Sequence, residues 1–460
     1  MTPVDTKEDL IRYFESGAKP REKWRVGTEY EKIAVDAATG RAVPYSGPDG
    51  VERMLHELID RFGWEIEDEE GGHILALKRG PARVTIEPGA QIELSGEQCE
   101  SIHCAHREFT QHVSELIDVG HSHGATLLGL GMTPVSRIDE IELLPKHRYH
   151  IMYPYMARKG RLGQRMMKQT AGVQANLDYS SEADAMRKLR VTMGIVPLLY
   201  AMFANSPLAD GSLNGYQSYR GHIWTDTDPD RCGILEFVFN ESAGFEDYTD
   251  YALDVPMYFL IRDHHYIDCT QPPGITFRRY MKDGFGKERA TLDDWGDHLT
   301  TIFTEVRLKK YIESRTADSQ PPALMLALPA LLKGILYNDD CMAGAWDLVK
   351  RWNFKERLEL NNLSHRAGLE ARAGRITLKE LSTELLNIAS TGLQRQKALN
   401  QRGEDETIYL DRLMDQVRSG YSQAALTINN WKGRWNYASK SPGSSSFAIS
   451  ANLIRKPNSR

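Results

Sequence analysis

The stretch RVGTEYEKIAV, residues 25–35, puts two glutamates on alternate positions of a segment rich in β-branched and aromatic residues. A strand sends residues i and i+2 to the same face. Glu29 and Glu31 therefore share a face, and Val26 lies on the other. Two further stretches repeat the pattern. VTIEPGAQIELSG (84–96) carries Glu87, sets Gln91 and Glu93 on one face and turns Ile92 and Leu94 away. TAGVQANLDY (170–179) sets Gln174, Asn176 and Asp178 against Val173, Ala175 and Leu177. Together they predict a sheet with an apolar face for the core and a face of acids and amides. Crowded carboxylates repel one another and raise their own pKa values. Hard cations such as Mg2+ relieve that repulsion and prefer oxygen ligands. An antiparallel sheet with one wetted face is the plainer alternative. A fourth stretch, EVRLKKYIESRTAD (305–318), tips the balance towards a metal and phosphate site. Read as one strand, it puts Arg307, Lys309, Tyr311, Glu313 and Arg315 on one side.

Composition narrows the class. The chain has 460 residues, 41% hydrophobic and 26% charged, enough to bury a sizeable core. Its net charge is -6 with a pI near 6.2, and no basic tract of the kind that tracks nucleic acid is present. A small anionic substrate fits better than a polyanion. The five cysteines, Cys99, Cys104, Cys232, Cys269 and Cys341, are scattered without a CxxC, which predicts free or buried thiols in a reducing compartment. Cys104 between His103 and His106 suits a polar helix face better than a transition-metal site. The N-terminus, MTPVDTKEDLIRYFESG, is acidic and amphipathic rather than a targeting peptide. No apolar run reaches membrane-spanning length. These features predict a cytoplasmic protein with no nucleic-acid or membrane partner, a monomer or weak homodimer.

Along the chain, residues 5–17 read as a helix with Thr6 as N-cap, 51–64 as an amphipathic helix ending near Gly63, and 98–123 as a long helix. GHILALKRG and ARVTIEP read as strands, and so does ATLLGLGMTP. The segments 133–170 and 215–233 read as polar loops, the first strongly basic. Ser181 opens a helix running to about Asn205, and His264-His265 mark an exposed turn. Residues 323–435 read as a helical subdomain. The expected organisation is one α+β unit over residues 1–440, followed by a flexible Ser/Gly/Pro-rich tail at 441–460.

Glu29, Glu31, Glu93 and Glu313, with Glu87 nearby, supply carboxylates, while Gln174 and Asn176 add neutral oxygens. Such a set suits on the order of two or three Mg2+ ions around a nucleoside triphosphate, because phosphoryl transfer needs cations that bridge the phosphates. Arg315 could grip a phosphate or simply pair with Glu313. Arg148 and Arg220, flanked by aromatics, suit a substrate carboxylate; a structural bridge to a loop carbonyl is the alternative for each. There is no GxxxxGK[ST], HExxH or GxSxG, and no nucleophile with an adjacent base.

GTEYEKI, IEPGAQIELSG, VQANLDYSSEAD, FANSPLADG, SYRGHIWTDTDPDR, YALDVPMYF, DWGDHLTTIF and EVRLKKYIESRTAD resemble the plant and proteobacterial type of glutamate–cysteine ligase, in order, over about residues 25–435. The resemblance implies a glutamine synthetase-like fold, with a curved, mainly antiparallel sheet forming a funnel and helices outside. It also implies ATP-dependent joining of the L-glutamate γ-carboxylate to the L-cysteine amine through a γ-glutamyl phosphate, the first step of glutathione synthesis. By resemblance, Glu29, Glu31, Glu93, Gln174 and Glu313 match metal positions. Arg315 matches the arginine that meets the transferred phosphate. Arg148 and Arg220 match arginines that contact the amino-acid substrates, and Asn176 lies at the nucleotide. Cys269 matches one cysteine of the plant hairpin disulfide, but MKDGFGKERATLDDW lacks the second. A related ligase with another acceptor amine is the alternative. A non-catalytic sensor on the same scaffold would be expected to have lost an acid or Arg315.

Overall fold

A computed structural model describes residues 2–433 apart from His264. His264 and the tail expected at 441–460 lie outside the described residues. Strand β1 (Val26–Asp36) is the axis of the main sheet. The other strands of that sheet are β2 (Glu65–Glu70), β3 (His73–Arg79), β4 (Ala82–Ile86), β5 (Ile92–Ser95), β6 (Ala125–Leu128), β7 (Gly172–Leu177), β8 (Val306–Leu308) and β9 (Ile312–Asp318). Their order is β8-β9-β7-β1-β5-β4-β3-β2, and β6 pairs with the C-terminal half of β1. Every pairing is antiparallel, and the sheet is open.

The period of two chooses the register. Glu31 lies opposite Glu93, Glu29 opposite Gln174, and Asn176 opposite Glu313. The other face holds Val26, Tyr30, Ile92, Leu94, Val173, Ala175 and Leu177, all fully buried. Each such aliphatic or aromatic side chain contributes roughly 1.5–3 kcal/mol by leaving water. Helices cover this face. α1 (Lys7–Glu15) is capped by Thr6, and α2 (Val51–Phe62) ends where Gly63 turns into the left-handed region at φ 69°. α3 (Ile102–Ser122) packs on β1 and β6, with Phe109 4.8 Å from the Tyr30 ring. The helix Ala327–Leu336 lies on β7, and Leu378–Gln396 packs behind it.

The expected elements differ in five places. The loop expected at 133–170 contains α4 (His147–Lys159) and α5 (Gly163–Gln169). Basic side chains, and Pro154 inside α4, blur the apolar period there. The helix expected from Ser181 to Asn205 breaks at Ile195 into α6 (Glu182–Gly194) and α7 (Val196–Phe203), where Pro197 cannot donate a helical hydrogen bond. The polar segment 215–233 contains the short α8 (Tyr219–Trp224). The stretch 305–318 is a hairpin rather than one strand, turning at residues 309–311. Strand β2, EIEDEE, was not legible because every residue but the last is exposed at the sheet edge.

His103 and His106 serve α3 as a polar face. His103 hydrogen-bonds the Tyr409 hydroxyl (2.8 Å) and the Ala398 carbonyl (3.2 Å), and His106 packs beside the Tyr409 ring. The free-thiol expectation fails for one pair: Cys99 and Cys104 form a disulfide. Cys232, Cys269 and Cys341 are free.

A buried ion pair lies within the C-terminal helical segment, and its acid also reaches α3 of the sheet layer. Lys333 donates to both Glu406 oxygens (2.7 and 2.5 Å), and Glu406 also accepts from the Ile102 backbone at the start of α3 (2.6 Å). Removing one partner leaves the other charge buried alone, which costs about 3–5 kcal/mol. Glu406→Gln is expected to lower unfolding free energy by about that amount in urea titrations, and Lys333→Met added to it is expected to recover part of the loss.

Candidate active site

A cavity of about 230 Å3 opens on the acidic face of the sheet. Glu29 and Glu31 of β1, Glu87 and Gln91 of the β4–β5 connection, Glu93 of β5 and Gln174 of β7 supply its floor. Arg307 and Arg315 of the β8–β9 hairpin, Arg148 of α4 and Arg220 of α8 stand around them. Tyr149, Met152, Met166, Met167, Trp224 and Phe303 form an apolar wall. The three sequence stretches thus converge, and all the expected residues but two line this one cavity. Asn176 lines an adjoining pocket of about 120 Å3 with Gly27, Thr28, Ser95, Gly96 and Tyr311, and Glu29 lines both. Glu313 is fully buried at the junction.

The acids fall into two groups. Glu313 is charge-paired: Arg307, directly across the hairpin, grips both its oxygens, with Nη2 at 2.8 Å from Oε1. Lys309 lies 3.7 Å away and Arg315 3.4 Å. Burial works to raise its pKa, but Arg307, Lys309 and Arg315 outweigh that and hold it well below the usual range. The others lack such partners. Glu29 accepts from Asn176 (2.8 Å), Glu31 from the Gly172 backbone (2.6 Å), and Glu93 from Ser95 (2.7 Å). Burial, followed by the charge of Glu313, raises Glu29. Burial and Glu87 push Glu31 up to about 7. Burial and the charges of Glu29, Glu87 and Glu31 raise Glu93 well above its usual value. Lys32 is wholly buried on the opposite face, where its ammonium donates to the Tyr30 carbonyl (2.7 Å).

The arginines are held differently. Arg315 donates to the Gln174 side-chain oxygen (2.6 Å) and, at 3.4 Å, to Glu313. Arg220 bridges the Arg315 and Thr316 carbonyls (2.9 and 3.1 Å), which is its structural alternative, while its buried Nε has no partner. Asp318 sets this helix in place by accepting from Ser206 and Ser218 at 2.7 and 2.9 Å, and Ser206 accepts from the Arg220 backbone at 3.0 Å. Gly172 makes room: a Cβ there would lie 2.7 Å from Arg220 Nη2. Arg148 stacks between the Tyr149 and Phe259 rings, and its Nε is buried without a partner. Arg307 is the residue whose role sequence reading missed; its place opposite Glu313 follows only once the chain is known to turn at residues 309–311.

The donor set fits a hard cation. Among the described residues no cation pairs Glu29, Glu31, Glu87 or Glu93 at salt-bridge distance, and the Asn176 Oδ1 is buried with no partner. Among the described residues no helix is long and apolar enough to cross a membrane.

Residues 25–440 match the family described as glutamate–cysteine ligase family 2. The chain is 43% identical over 436 residues to the chloroplastic glutamate–cysteine ligase of Brassica juncea, covering 94% of this chain and 82% of that one. The corresponding Nicotiana tabacum enzyme is 42% identical over 433 residues, covering 94% and 80%. A crystal structure of the Francisella tularensis glutamate–cysteine ligase in complex with AMP superposes with a TM-score of 0.53 at 14% identity, over 93% of this chain and 87% of that one, which supports the fold. The chain belongs to glutamate–cysteine ligase family 2. The cytoplasmic expectation is corrected at the same point, because these relatives are chloroplastic enzymes.

A carboxylate with a raised folded pKa destabilises the fold where only the unfolded chain ionises. For Glu31 that loss accrues as pH rises from its ordinary 4.5 to about 7. A cation that binds the ionised acids reverses it. The stabilisation by Mg2+, read as a shift in Tm, is therefore expected to be small at pH 5.5 and to grow towards pH 8. Glu93→Gln should flatten that pH dependence; an unchanged Mg2+ effect in that variant would remove Glu93 from the cation site.

Proposed function

We propose that this chain uses ATP to join the γ-carboxylate of L-glutamate to the amine of L-cysteine, giving γ-glutamylcysteine, ADP and phosphate, with Glu29, Glu31, Glu93, Gln174 and Glu313 as its metal-binding set. The reading is carried by one observation: buried Glu93 and half-buried Glu29, Glu31 and Glu87, none with an ion-pair partner among the described residues, share a cavity with Arg148, Arg220 and Arg315. A carboxylate is a poor acyl donor, and phosphorylation turns one of its oxygens into a leaving group. Bound Mg2+ would supply charge neutralisation for the phosphates at these acids.

The chain's own residues do the rest. Arg315, held over the acids by Gln174, is positioned to meet the transferred phosphoryl group. Arg148 keeps an unspent donor between two rings, which suits the carboxylate of an amino-acid substrate. Arg220 spends two donors on the strand beneath Arg315, so it orients that strand and offers Nε to the substrate. The adjoining pocket at Asn176 and Tyr311 suits the nucleoside, with Glu29 at the junction marking the phosphates. Holding both amino acids here replaces a bimolecular encounter with a fixed approach.

Phosphate release from ATP with Mg2+ and L-glutamate, measured across L-cysteine, 2-aminobutyrate, ammonia and hydroxylamine, tests the reaction. Strong stimulation by cysteine and 2-aminobutyrate with a γ-glutamyl product by mass is expected; release indifferent to both would assign another acceptor. Glu313→Gln should stay folded, because Arg307 keeps the Thr300 and Ile302 carbonyls (2.7 and 3.0 Å). Its ATP turnover should fall by on the order of a hundredfold or more. Near wild-type turnover would sink the assignment of Glu313.

A further inference from the structure

A third cavity, of about 270 Å3, lies on the opposite face of the sheet from the acids, between α3 and the β3–β4 turn. Register fixes its side: Leu94 lines it, while Glu93 lines the active-site cavity. The two cavities share no residue. Its walls bring opposite charges together, with Arg79 and Arg107 beside Glu97 and Glu108. Arg79 is committed to Glu115 (2.8 Å) and the Phe62 carbonyl (3.0 Å). Arg107 spends one N–H on the His103 carbonyl (3.2 Å) and is otherwise exposed. Deeper in, His112 is fully buried and neither ring nitrogen has a hydrogen-bond partner. A buried polar group without a partner costs free energy, and a ligand in this cavity would relieve it.

One wall is the Cys99–Cys104 disulfide. Cys99 is 1% exposed, whereas Cys104 is half-buried and lines the cavity. A molecule in the cavity thus meets the Cys104 sulfur and not that of Cys99. A Glu97 carboxylate oxygen lies 3.0 Å from Cys104 Sγ and 3.8 Å from Cys99 Sγ. Cations and carboxylates side by side match a zwitterion, and a disulfide at the wall matches a thiol.

We propose that Cys104 is a site of reversible thiolation by a small zwitterionic thiol, one bearing an α-amino-acid group, that docks in this cavity. The incoming thiol gives its proton to the Glu97 carboxylate. The thiolate attacks Cys104 Sγ, the bond to Cys99 breaks, and the electron pair goes to Cys99 Sγ, which takes the proton from Glu97. One disulfide is consumed and one formed, so no outside oxidant or reductant enters. Attack by Cys99 on Cys104 runs the step backwards and releases the thiol. Arg107 takes the carboxylate and Glu108 the ammonium of the docked molecule. The exchange is felt at β1, because Cys99 pairs with Val26 through both backbone groups (2.8 and 2.9 Å) and Gly96 donates to the Thr28 carbonyl (2.9 Å). The site is separate from Cys269, and it does not rest on the ligase reading.

The test uses the full chain purified without reductant. It is exposed to L-cysteine or to 2-mercaptoethanol at equal thiolate concentration, quenched with iodoacetamide and mapped as non-reduced peptides. The expected products are a cysteinyl group on Cys104 and an alkyl group on Cys99. L-Cysteine should react about tenfold faster, the preference that one charge-assisted contact supplies. Arg107→Gln and Glu108→Gln should each reduce that preference and leave the 2-mercaptoethanol rate unchanged. Equal rates for the two thiols in the unaltered chain, or an adduct on Cys99, would overturn the proposal. So would alkylation of both cysteines before any thiol is added, with or without release of a zinc ion held by Glu97, Cys99 and Cys104.

Discussion

The pairing of β1 with β5 and β7 is the constraint on which the rest depends. Its register sends Glu29 and Glu31 to one face and Val26 and Tyr30 to the other, and its neighbours follow. A slip of one residue would exchange the faces. Each apolar side chain turned outward would forfeit roughly 1.5–3 kcal/mol, and each acid turned into the helix layer would cost several more. With two acids and several apolar residues on β1 and its partners, the penalty rivals the whole stability of a domain, about 5–15 kcal/mol. Function and fold therefore use the same alternation: the pattern that fills the core also concentrates carboxylates in one cavity.

That concentration costs stability, and the structure distributes the cost unevenly. Around Glu313 it is offset by Arg307, Lys309 and Arg315. Around Glu29, Glu31 and Glu93 it is met by hydrogen bonds from Asn176, Gly172, Gln174 and Ser95 and by the more distant charges of Lys309, Arg220 and Arg315, which do not outweigh it. Desolvation and mutual repulsion then raise these pKa values. Lys32 and Thr28, buried behind them on the same strand, depart from the apolar rule for that face.

The sheet and most of its acids were legible because alternation is a local signal with a period of two. Glu29, Glu31, Glu93 and Gln174 occupy the places that the alternation gave them. Three things were not legible, for physical reasons. The hairpin at 306–318 keeps the same alternation on both sides of its turn, so a continuous strand and a folded one look alike. Helices α4 and α8 owe their stability to tertiary packing rather than to a clean apolar stripe, which hides them behind basic and aromatic residues. The Cys99–Cys104 disulfide depends on how the chain enters α3, and spacing alone did not fix it. The tilt of Arg220 towards backbone carbonyls is likewise a matter of loop geometry.

The hairpin resolves an apparent conflict between the acids and the arginines. If Arg315 paired fully with Glu313, it would not be available to a ligand. Arg307 removes that competition by taking both Glu313 oxygens from across the hairpin, while the Thr300 and Ile302 carbonyls hold Arg307 in place. Arg315 is left to the neutral Gln174 oxygen, a partner that an anion can displace at lower cost than a carboxylate. The cavity thus sets acids without ion-pair partners among the described residues, at Glu31, Glu87 and Glu93, apart from the cations Arg307 and Arg315. Charge separation of this kind is fixed before any ligand arrives and needs no reorganisation to meet one.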